Sequence, residues 1–483
     1  MNRSQISPLS FLRPRRGTYV DALLSFRDAD YCNTIASLES RDDPESTYLR
    51  ARSWLRLSNA EAAIRELGSV VDSDLPFIKQ RAELAVLKAS AYVFSADLQR
   101  ARETLCAARV FAFSCSTIEV QAEYHYVEAT SAFAERNFEA STAAAAEVFE
   151  IDERFAQRSE SYVIPYEHTR ARAHSIIGLV LATQEDYKGQ HARTSMALRE
   201  LGDNAVPDIG LSALLLQQLA YLVRDFDLNG DALSLARCLE SGSWPADLPI
   251  ARYEICRALA WHASLRGDRL NAFRYFREAI DIAPNLPFRI LASVDQISVS
   301  RELAVGERSA ESLKELKAQA DCVDWSTVAE ERIALLLLAQ EYSYLSPDVA
   351  GRLLERYRSI SVKLAPTFLN AYDRRPRAHE QMAEGSVAKA NGNVHRAAAC
   401  FLEAFEIWNR LDYKWRAAVA AAELGRLSGN HRFVEYARRE AAARPGSWLD
   451  LKCSTLRNAT ADVIELSSRI RPSTAVYGRQ RID

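Results

Sequence analysis

The sequence contains few of the features that mark disordered, β-rich or membrane-spanning proteins. Its 483 residues include only 15 prolines and 17 glycines, which is low for a disordered chain or a fold rich in β-turns. Strand-like alternation of apolar and polar residues is almost absent, so a sheet protein is not expected. No stretch approaches 18 uncharged apolar residues, and we expect no membrane-spanning helix. The net charge of −3 gives no general attraction to nucleic acid or membranes.

The cysteines and the N-terminus indicate the compartment. The eight cysteines are scattered with no CxxC pair, which in a long chain favours reduced, buried thiols over a disulfide framework. The first residues, MNRSQISPLSFLRPRRG, are basic but lack the apolar core of a secretory signal. We therefore expect a cytoplasmic protein.

Motifs of the common enzyme classes are missing as well. The sequence contains no P-loop GxxxxGK[ST], no GxGxxG after a strand, no HExxH and no GxSxG. The eight histidines are spread singly. We expect no catalytic residues, no cofactor and no metal, although an active site assembled from distant residues would leave no such motif.

A repeated pattern is what the sequence does contain, and it is clearest in residues 253–284. This segment predicts two amphipathic helices joined by a Gly-Asp turn and closed by a proline. Ala260 in the first helix and Ala272 and Ala279 in the second stand where the two helices must touch, and Phe276 supplies bulk between them. Such spacing gives each helix a narrow, close-packing stripe.

Weaker copies of this unit recur along most of the chain. Each copy can be anchored on the small residue that opens its second helix, and the anchors are Ala63, Ala101, Ala140, Gly189, Ala272, Ala310, Ala350 and Ala397. Successive gaps are 38, 39, 49, 83, 38, 40 and 47 residues. The longest gap is about twice the others, which predicts a further repeat near residues 229–232. A period of about 20 to 50 residues indicates stacked supersecondary units.

The pattern resembles the tetratricopeptide (TPR) repeat. Residues 253–284 match the family at Leu259, Ala260, Gly267, Ala272, Phe276, Ala279 and Pro284, and residues 378–409 match it at Gly385, Gly392, Ala397, Phe401 and Ala404. The usual first-helix tryptophan is missing from both, and most spacings exceed the family's period of about 34 residues. The resemblance implies an all-α, right-handed superhelical solenoid of about ten antiparallel helix pairs with long repeats. A HEAT-like or unclassified α-solenoid is the alternative.

The predicted solenoid spans residues 18–444, with its first helix pair around residues 29–64. A basic arm at residues 1–17 precedes it. A capping helix at residues 445–471 and a basic tail at residues 472–483 follow it. A boundary near residues 203–210 would divide the solenoid into two lobes.

The resemblance also implies which side chains face the concave groove, because that surface comes from the first helices. The candidates are Tyr48, Arg52, His125, His174, Glu254, Arg257, Trp261, His379, Lys389 and Arg416. Arginine, tryptophan and tyrosine are the side chains most often found as binding hot spots. The alternative is that Trp261 belongs to the core and Arg257 to a solvated face. The Lys/Asn pairing with which the family clamps a C-terminal carboxylate is not found, which argues against chaperone tails of the EEVD type as partners.

The segment DFDLNGD at residues 225–231 imitates the opening of a calcium loop. Position twelve of such a loop must be a bidentate acid, and here it is Ala236. The segment also coincides with an expected turn between helices, so we favour a structural role.

Both ends of the sequence are basic. The arginines are Arg3, Arg13, Arg15 and Arg16 at one end and Arg469, Arg471, Arg479 and Arg481 at the other. They could dock on phosphate or on an acidic partner, but solvated termini explain them as well.

Three functions stay open. The leading one is a non-catalytic scaffold or adaptor that binds a protein or peptide in its groove. The alternative is a bacterial regulator that responds to a ligand or peptide and acts through a partner protein. The third is a nucleic-acid-associated protein that uses its arginine-rich ends, with nucleic acid the least favoured partner. A homodimer through exposed end repeats is also open.

Overall fold

The computed structural model describes residues 16–57, 59–70, 75, 77–114, 118–156, 169–202, 209–240, 249–302, 308–328, 330–363, 375–454 and 456. Within these residues the chain forms α-helices and two short 3-10 helices at Trp325–Thr327 and Glu330–Arg332, and no strand. The α-helices are α1 (Arg16–Arg27), α2 (Tyr31–Leu38), α3 (Pro44–Arg56), α4 (Ala60–Gly68), α5 (Ile78–Phe94), α6 (Leu98–Ser114), α7 (Ile118–Ala134), α8 (Phe138–Ala156), α9 (Thr169–Thr183), α10 (Tyr187–Gly202), α11 (Ile209–Phe226), α12 (Asn229–Glu240), α13 (Pro249–Leu265), α14 (Arg269–Asp281), α15 (Leu286–Glu302), α16 (Arg308–Asp321), α17 (Ile333–Tyr342), α18 (Pro347–Lys363), α19 (Arg375–Ala390), α20 (Val394–Arg410), α21 (Lys414–Ser428), α22 (His431–Ala442) and α23 (Trp448–Ser454).

Consecutive helices pack in pairs, from α1/α2 to α21/α22, and α23 follows as a single helix. First helices also pack on first helices of neighbouring pairs, as α5 does on α7 and α15 does on α17. Units that pack mainly on their neighbours form a solenoid, so the prediction of an all-α solenoid is confirmed. The described residues contain eleven pairs rather than about ten. The repeat inferred in the longest gap is present, since α12 begins at Asn229.

The start of the array differs from the prediction. The helix pair expected around residues 29–64 is in fact α2, α3 and α4, because α1 and α2 already form a pair before it. A left-handed turn residue, Ala29, separates α1 from α2 with φ of 57°. No glycine marks this turn in the sequence.

The same short turn joins the two helices in many pairs. A residue with positive φ ends the first helix, and an Asp or Asn side chain then caps the second by accepting from a backbone N–H three residues on. The residues with positive φ include Ala96, Arg136, Glu185, Gly267 and Gly392, and the caps that follow them are Asp97, Asn137, Asp186, Asp268 and Asn393. A side-chain cap contributes about 1 kcal/mol to helix stability, which offsets the cost of the strained backbone beside it.

Small residues allow the two helices of a pair to approach closely. In the pair α19/α20 a Cβ on Gly385 would lie 2.7 Å from the ring of Phe401. Phe401, Ala397 and Ala404 are fully buried. The positions that carry the family resemblance are therefore the positions at which these helices touch.

The last helices return to the middle of the chain and contact α11, α13 and α15. The indole N–H of Trp415 donates to the carbonyl of Arg224 at 3.2 Å, and that of Trp448 donates to the carbonyl of Ser298 at 3.2 Å. Trp261 stacks on Trp415 with ring centroids 5.1 Å apart and meets Trp448 edge-on at 5.4 Å. We call the packing of Trp261, Trp415 and Trp448 with these two hydrogen bonds the closing contact.

Other expectations meet mixed results. Among the described residues Cys256, Cys400 and Cys453 are buried and Cys238 is partly so, but Cys32, Cys106 and Cys322 are exposed, so the expectation of buried thiols is wrong for these three.

None of the described helices is both long and apolar enough to cross a membrane. The basic arm up to residue 15, residues 203–208 of the predicted lobe boundary and the chain from residue 457 onward lie outside the described residues. Helix α23 lies within the segment predicted to cap the array.

Candidate functional site

A cavity of about 930 Å³ lies on the face formed by the first helices. Each of the ten first helices from α3 to α21 contributes at least one side chain to its wall. The resemblance implied that the concave surface comes from first helices. Most wall residues do lie on first helices, but Gln190, Tyr357 and Trp408 come from second helices.

Arginine is the only strongly basic residue type in the described wall. The arginines are Arg52, Arg56, Arg172, Arg224, Arg257, Arg332, Arg375 and Arg416, and no lysine joins them. The carboxylates are Glu123, Asp225, Glu254, Asp295, Glu331 and Glu341. The described wall therefore has an excess of positive charge inside a chain whose net charge is −3. Guanidinium groups match the geometry of carboxylates and phosphates, which lysine does not.

Asp225 is the centre of the charged wall, near the end of α11. Its carboxylate oxygens lie 3.1 Å from Nε of Arg224, 3.5 Å from Nη1 of Arg375 and 3.6 Å from Nη2 of Arg416. Burial would raise the pKa of Asp225, but the three guanidinium groups outweigh it and hold that pKa well below its usual range. Asp225 thus holds together side chains from α11, α19 and α21 as a fixed anion.

Arg257 extends this network to α15. Its Nε donates to Oδ2 of Asp295 at 2.6 Å, and its Nη1 lies 3.6 Å from Oε2 of Glu254. The same Glu254 oxygen lies 3.7 Å from Nη1 of Arg224. Burial alone would lower the pKa of Arg257, but Asp295 and other neighbours raise it above its ordinary value. Arg257 is therefore a buried, paired cation.

Arg416 is the least well paired arginine of this network. Its guanidinium carbon lies 4.3 Å from the ring centroid of Trp415 and 5.3 Å from that of Trp408, and its side chain is 14% exposed. Its buried Nε has no hydrogen-bond partner in the described part of the chain. Burial lowers the pKa of Arg416 to about 10, and the carboxylates of Asp225 and Asp295 oppose the change.

His379 lies beside Arg416 on the wall and packs edge-on against Trp408, with ring centroids 4.9 Å apart. Burial, reinforced by Arg416, holds the pKa of His379 well below its ordinary value. The imidazole is therefore neutral at pH 7 and adds no charge to the wall.

A second cluster of polar side chains lines the part of the cavity formed by α7 and α9. Nη1 of Arg172 donates to both carboxylate oxygens of Glu123, at 2.9 and 2.7 Å, and its guanidinium carbon lies 3.8 Å from the ring centroid of Tyr126. Three exposed apolar side chains, Phe94, Leu214 and Ile250, also line the cavity. The wall therefore offers fixed charges and accessible apolar surface together.

Six of the ten predicted groove residues line this cavity: Arg52, Glu254, Arg257, Trp261, His379 and Arg416. Their positions do not make all of them accessible. Trp261 is only 5% exposed and belongs to the closing contact, and Arg257 is held in its buried ion pair. The expectation that these two side chains face an open groove is therefore wrong in part. A binding role for any of the ten stays a prediction.

Tyr48 and His125 lie outside the cavity wall. Tyr48 is buried in the core between α3 and α5, where its hydroxyl accepts from Arg52 at 3.2 Å. His125 faces Glu128, with 3.0 Å between Nδ1 and the carboxylate, and packs on Phe113. Both side chains are engaged within their own region of the solenoid.

His174 and Lys389 are also outside the wall. His174 is buried, with Nε2 3.3 Å from Glu200 and Nδ1 3.1 Å from Arg193. Lys389 donates to Glu423 of the next repeat at 2.7 Å. These two residues join neighbouring helices rather than face the cavity.

Several wall residues were missed by the sequence analysis, chief among them Arg224 and Asp225. The repeat α11/α12 gave no anchor residue, so no register placed its first helix. The signal that could have found them is the calcium-like segment that begins at Asp225. The carboxylates of this segment pair with other side chains. Asp225 pairs with its three arginines, Asp227 lies 3.1 Å from Arg444, and Asp231 lies 3.0 Å from His191.

The comparisons with known proteins add little to this picture. No protein-family model and no curated protein matches the sequence. The crystal structure of yeast Tom70 is 10% identical, with a TM-score of 0.37, over 92% of this chain and 94% of that chain. The crystal structure of the APC/C hetero-tetramer Cut9-Hcn1 is 14% identical, with a TM-score of 0.31, over 92% of this chain and 88% of that chain. Similarity at this level says nothing about the ligand of this chain.

Proposed function

We propose that this chain is a non-catalytic binding protein whose cavity holds a short peptide or a flexible segment of a partner protein. The observation that supports it most is the cavity, to which ten successive first helices contribute. Its volume of about 930 Å³ is near the upper end of the roughly 300 to 1,000 Å³ typical of ligand pockets. A cavity of this size suits an extended segment better than a folded surface.

The chemistry of the wall favours a peptide. Phe94, Leu214 and Ile250 offer apolar surface to side chains, while the arginines and carboxylates offer partners to polar groups. Arg172, Arg224 and Arg257 are held in place by ion pairs, so a ligand need not order them. Pre-ordered contacts lower the entropic cost of binding.

A second candidate function is a ligand-responsive regulator that acts through a partner protein. The observation that favours it is Trp261, which lines the cavity and also belongs to the closing contact. A ligand beside Trp261 would bias the contact between α13 and the last helices. A change of the radius of gyration in small-angle scattering on adding a bound peptide would favour this function over a static scaffold.

A nucleic-acid role is the weakest proposal. Of the eight terminal arginines only Arg16 lies within the described residues. Such a role requires affinity that falls steeply with salt and disappears when both ends are trimmed. A cytoplasmic location and a homodimer likewise stay proposals.

The experiment that tests the leading proposal is a screen of the purified chain against a random octapeptide library, with calorimetry on the hits. Leu214→Trp narrows the cavity, whereas Leu233→Trp adds the same side chain at an exposed site of α12 outside the wall. We expect the first variant to weaken binding and the second to leave it unchanged. Equal affinities for both variants, or no peptide that binds, would refute a peptide cavity.

A further inference from the structure

Arg416 differs from Arg224 and Arg257 in how its charge is compensated. Arg224 and Arg257 each donate a hydrogen bond to a carboxylate, at 3.1 and 2.6 Å. The nearest carboxylate oxygen to Arg416 lies 3.6 Å away, longer than the roughly 2.7 to 2.9 Å of a charge-assisted hydrogen bond. Its Nε is buried without a hydrogen-bond partner among the described residues. The Arg416 guanidinium is a cation with unused donors.

The surroundings of Arg416 fit a site for an oxyanion. Arg416, His379 and Trp408 all line the cavity, so a ligand can reach the guanidinium. The indole rings of Trp408 and Trp415 pack against it, and its side chain is only 14% exposed. A charge-assisted hydrogen bond is stronger in such a low-dielectric setting than in water.

We propose that the cavity ligand carries an anionic oxygen group, a carboxylate or a phosphate, that binds to Arg416 beside Trp408 and Trp415. The planar guanidinium can donate two parallel hydrogen bonds to either group. The inference rests on the proposed peptide-binding function and names the chemistry of its ligand. It also identifies Arg416 as a specificity-determining residue, since a neutral ligand would leave the buried positive charge of Arg416 uncompensated.

The site is coupled to the closing contact by its position. Arg416 follows Trp415 on α21, and the Trp415 indole donates to the carbonyl of Arg224 on α11. An anion on Arg416 compensates a buried charge at the place where α21 meets α11. Binding therefore stabilises the closed arrangement of these helices.

The first test uses simple anions and needs no peptide. The melting temperature of the full chain is measured in phosphate, in acetate and in chloride at equal ionic strength, for wild type, Arg416→Gln and Arg269→Gln. Arg269 is exposed and lies outside the cavity wall, so its variant controls for the lost charge. Phosphate also stabilises proteins by exclusion from their surface, so the comparison between variants is what counts. We expect phosphate and acetate to raise the melting temperature of wild type and Arg269→Gln more than that of Arg416→Gln.

The chloride arm separates a binding role from a structural one. Asp225 keeps its other two arginine partners when Gln replaces Arg416. Arg416 itself is desolvated and weakly paired, so the melting temperature of Arg416→Gln in chloride should stay close to that of wild type. A purely structural arginine would lower it. A wild type that responds to phosphate and acetate no more than Arg416→Gln does would overturn the proposal.

The second test uses peptides from the library screen. Each hit is made with its acidic residues, with Gln in their place, with a C-terminal amide and with phosphoserine, which separates the sources of the oxyanion. Arg416→Gln should weaken binding of the anionic forms about tenfold or more, and Arg416→Lys should restore part of it. Neutral forms that bind as tightly as anionic ones would overturn the inference while leaving a peptide cavity intact. If no peptide binds, the proposed function fails, and the simple-anion test still decides the role of Arg416.

Discussion

Gly267 and Gly446 pack backbone against backbone, although they belong to distant parts of the sequence. A Cβ on Gly267 would lie 3.0 Å from the carbonyl oxygen of Gly446. Both residues have positive φ, 75° and 72°. Gly267 ends the turn after α13 and Gly446 precedes α23, so their contact lies beside the closing contact and requires a close approach of two turns.

Gly267→Ala should destabilise the protein more than Gly392→Ala. Both glycines have φ of 75°, so alanine meets the same backbone strain at each, roughly 1 to 2 kcal/mol. Nothing lies within 4 Å of an added Cβ at Gly392, whereas at Gly267 it meets the backbone of Gly446. We expect an additional loss of about 1 kcal/mol or more for Gly267→Ala in urea denaturation. Equal losses at the two positions would contradict the contact between the two turns.

Arg257 and Asp295 should behave as a buried pair rather than as binding residues. Removing one partner leaves the other charge buried without compensation, which costs about 3 to 5 kcal/mol. We expect Arg257→Gln and Asp295→Asn each to lower the free energy of unfolding by that order, and the double variant to recover part of the loss. A double-mutant cycle in urea measures this coupling. Unchanged stability of Arg257→Gln together with lost peptide binding would instead restore Arg257 as a groove residue.

Local packing within a repeat could be predicted from the sequence because it depends on residues close along the chain. In the pair α13/α14 the alanines Ala260, Ala272 and Ala279 and the ring of Phe276 are all fully buried, as their spacing predicts. The closing contact could not be predicted in this way. Trp261 and Trp415 stack although three helix pairs lie between their own pairs in the sequence, and no period in the sequence encodes which distant repeats meet.

The same limit applies to the candidate site. The register of the repeats located Arg416 and His379 on the cavity wall, but it could not show that Trp261 is covered by the last helices. The sequence pattern placed Asp225 only in a turn. Its role in the wall depends on three arginines from α11, α19 and α21, and a local pattern does not show that these helices meet. Position on a helix face follows from local pattern, whereas accessibility depends on distant packing.

Gly385→Ala should destabilise the protein although alanine is the better helix former. The added Cβ would lie 2.7 Å from the ring of Phe401, which is fully buried. Overpacking of this kind costs about 1 to 3 kcal/mol. Gly351→Ala is the matched control, since Gly351 lies inside α18 with nothing within 4 Å of an added Cβ. We expect it to gain up to about 1 kcal/mol, and a gain at both positions would contradict the close packing of α19 on α20.

Glu83 should make stability depend on pH near neutrality. Its carboxyl is buried on α5, and burial raises its pKa to about 7, with Glu45 and Glu119 adding to the rise and Lys79 opposing it from 3.6 Å. The unfolded chain releases this proton near the ordinary pKa of 4.5. Between these two values the folded state binds more protons than the unfolded state, so stability falls as pH rises.

Replacement of Glu83 by Gln removes this proton linkage. We expect Glu83→Gln to match wild type near pH 4.5 and to exceed its free energy of unfolding by on the order of 3 kcal/mol above pH 7. Urea denaturation at intervals from pH 4.5 to 8 measures the difference, and Glu61→Gln, at an exposed position of α4, is the control. A constant difference between Glu83→Gln and wild type across this range would show that the Glu83 carboxyl does not hold its proton in the folded state.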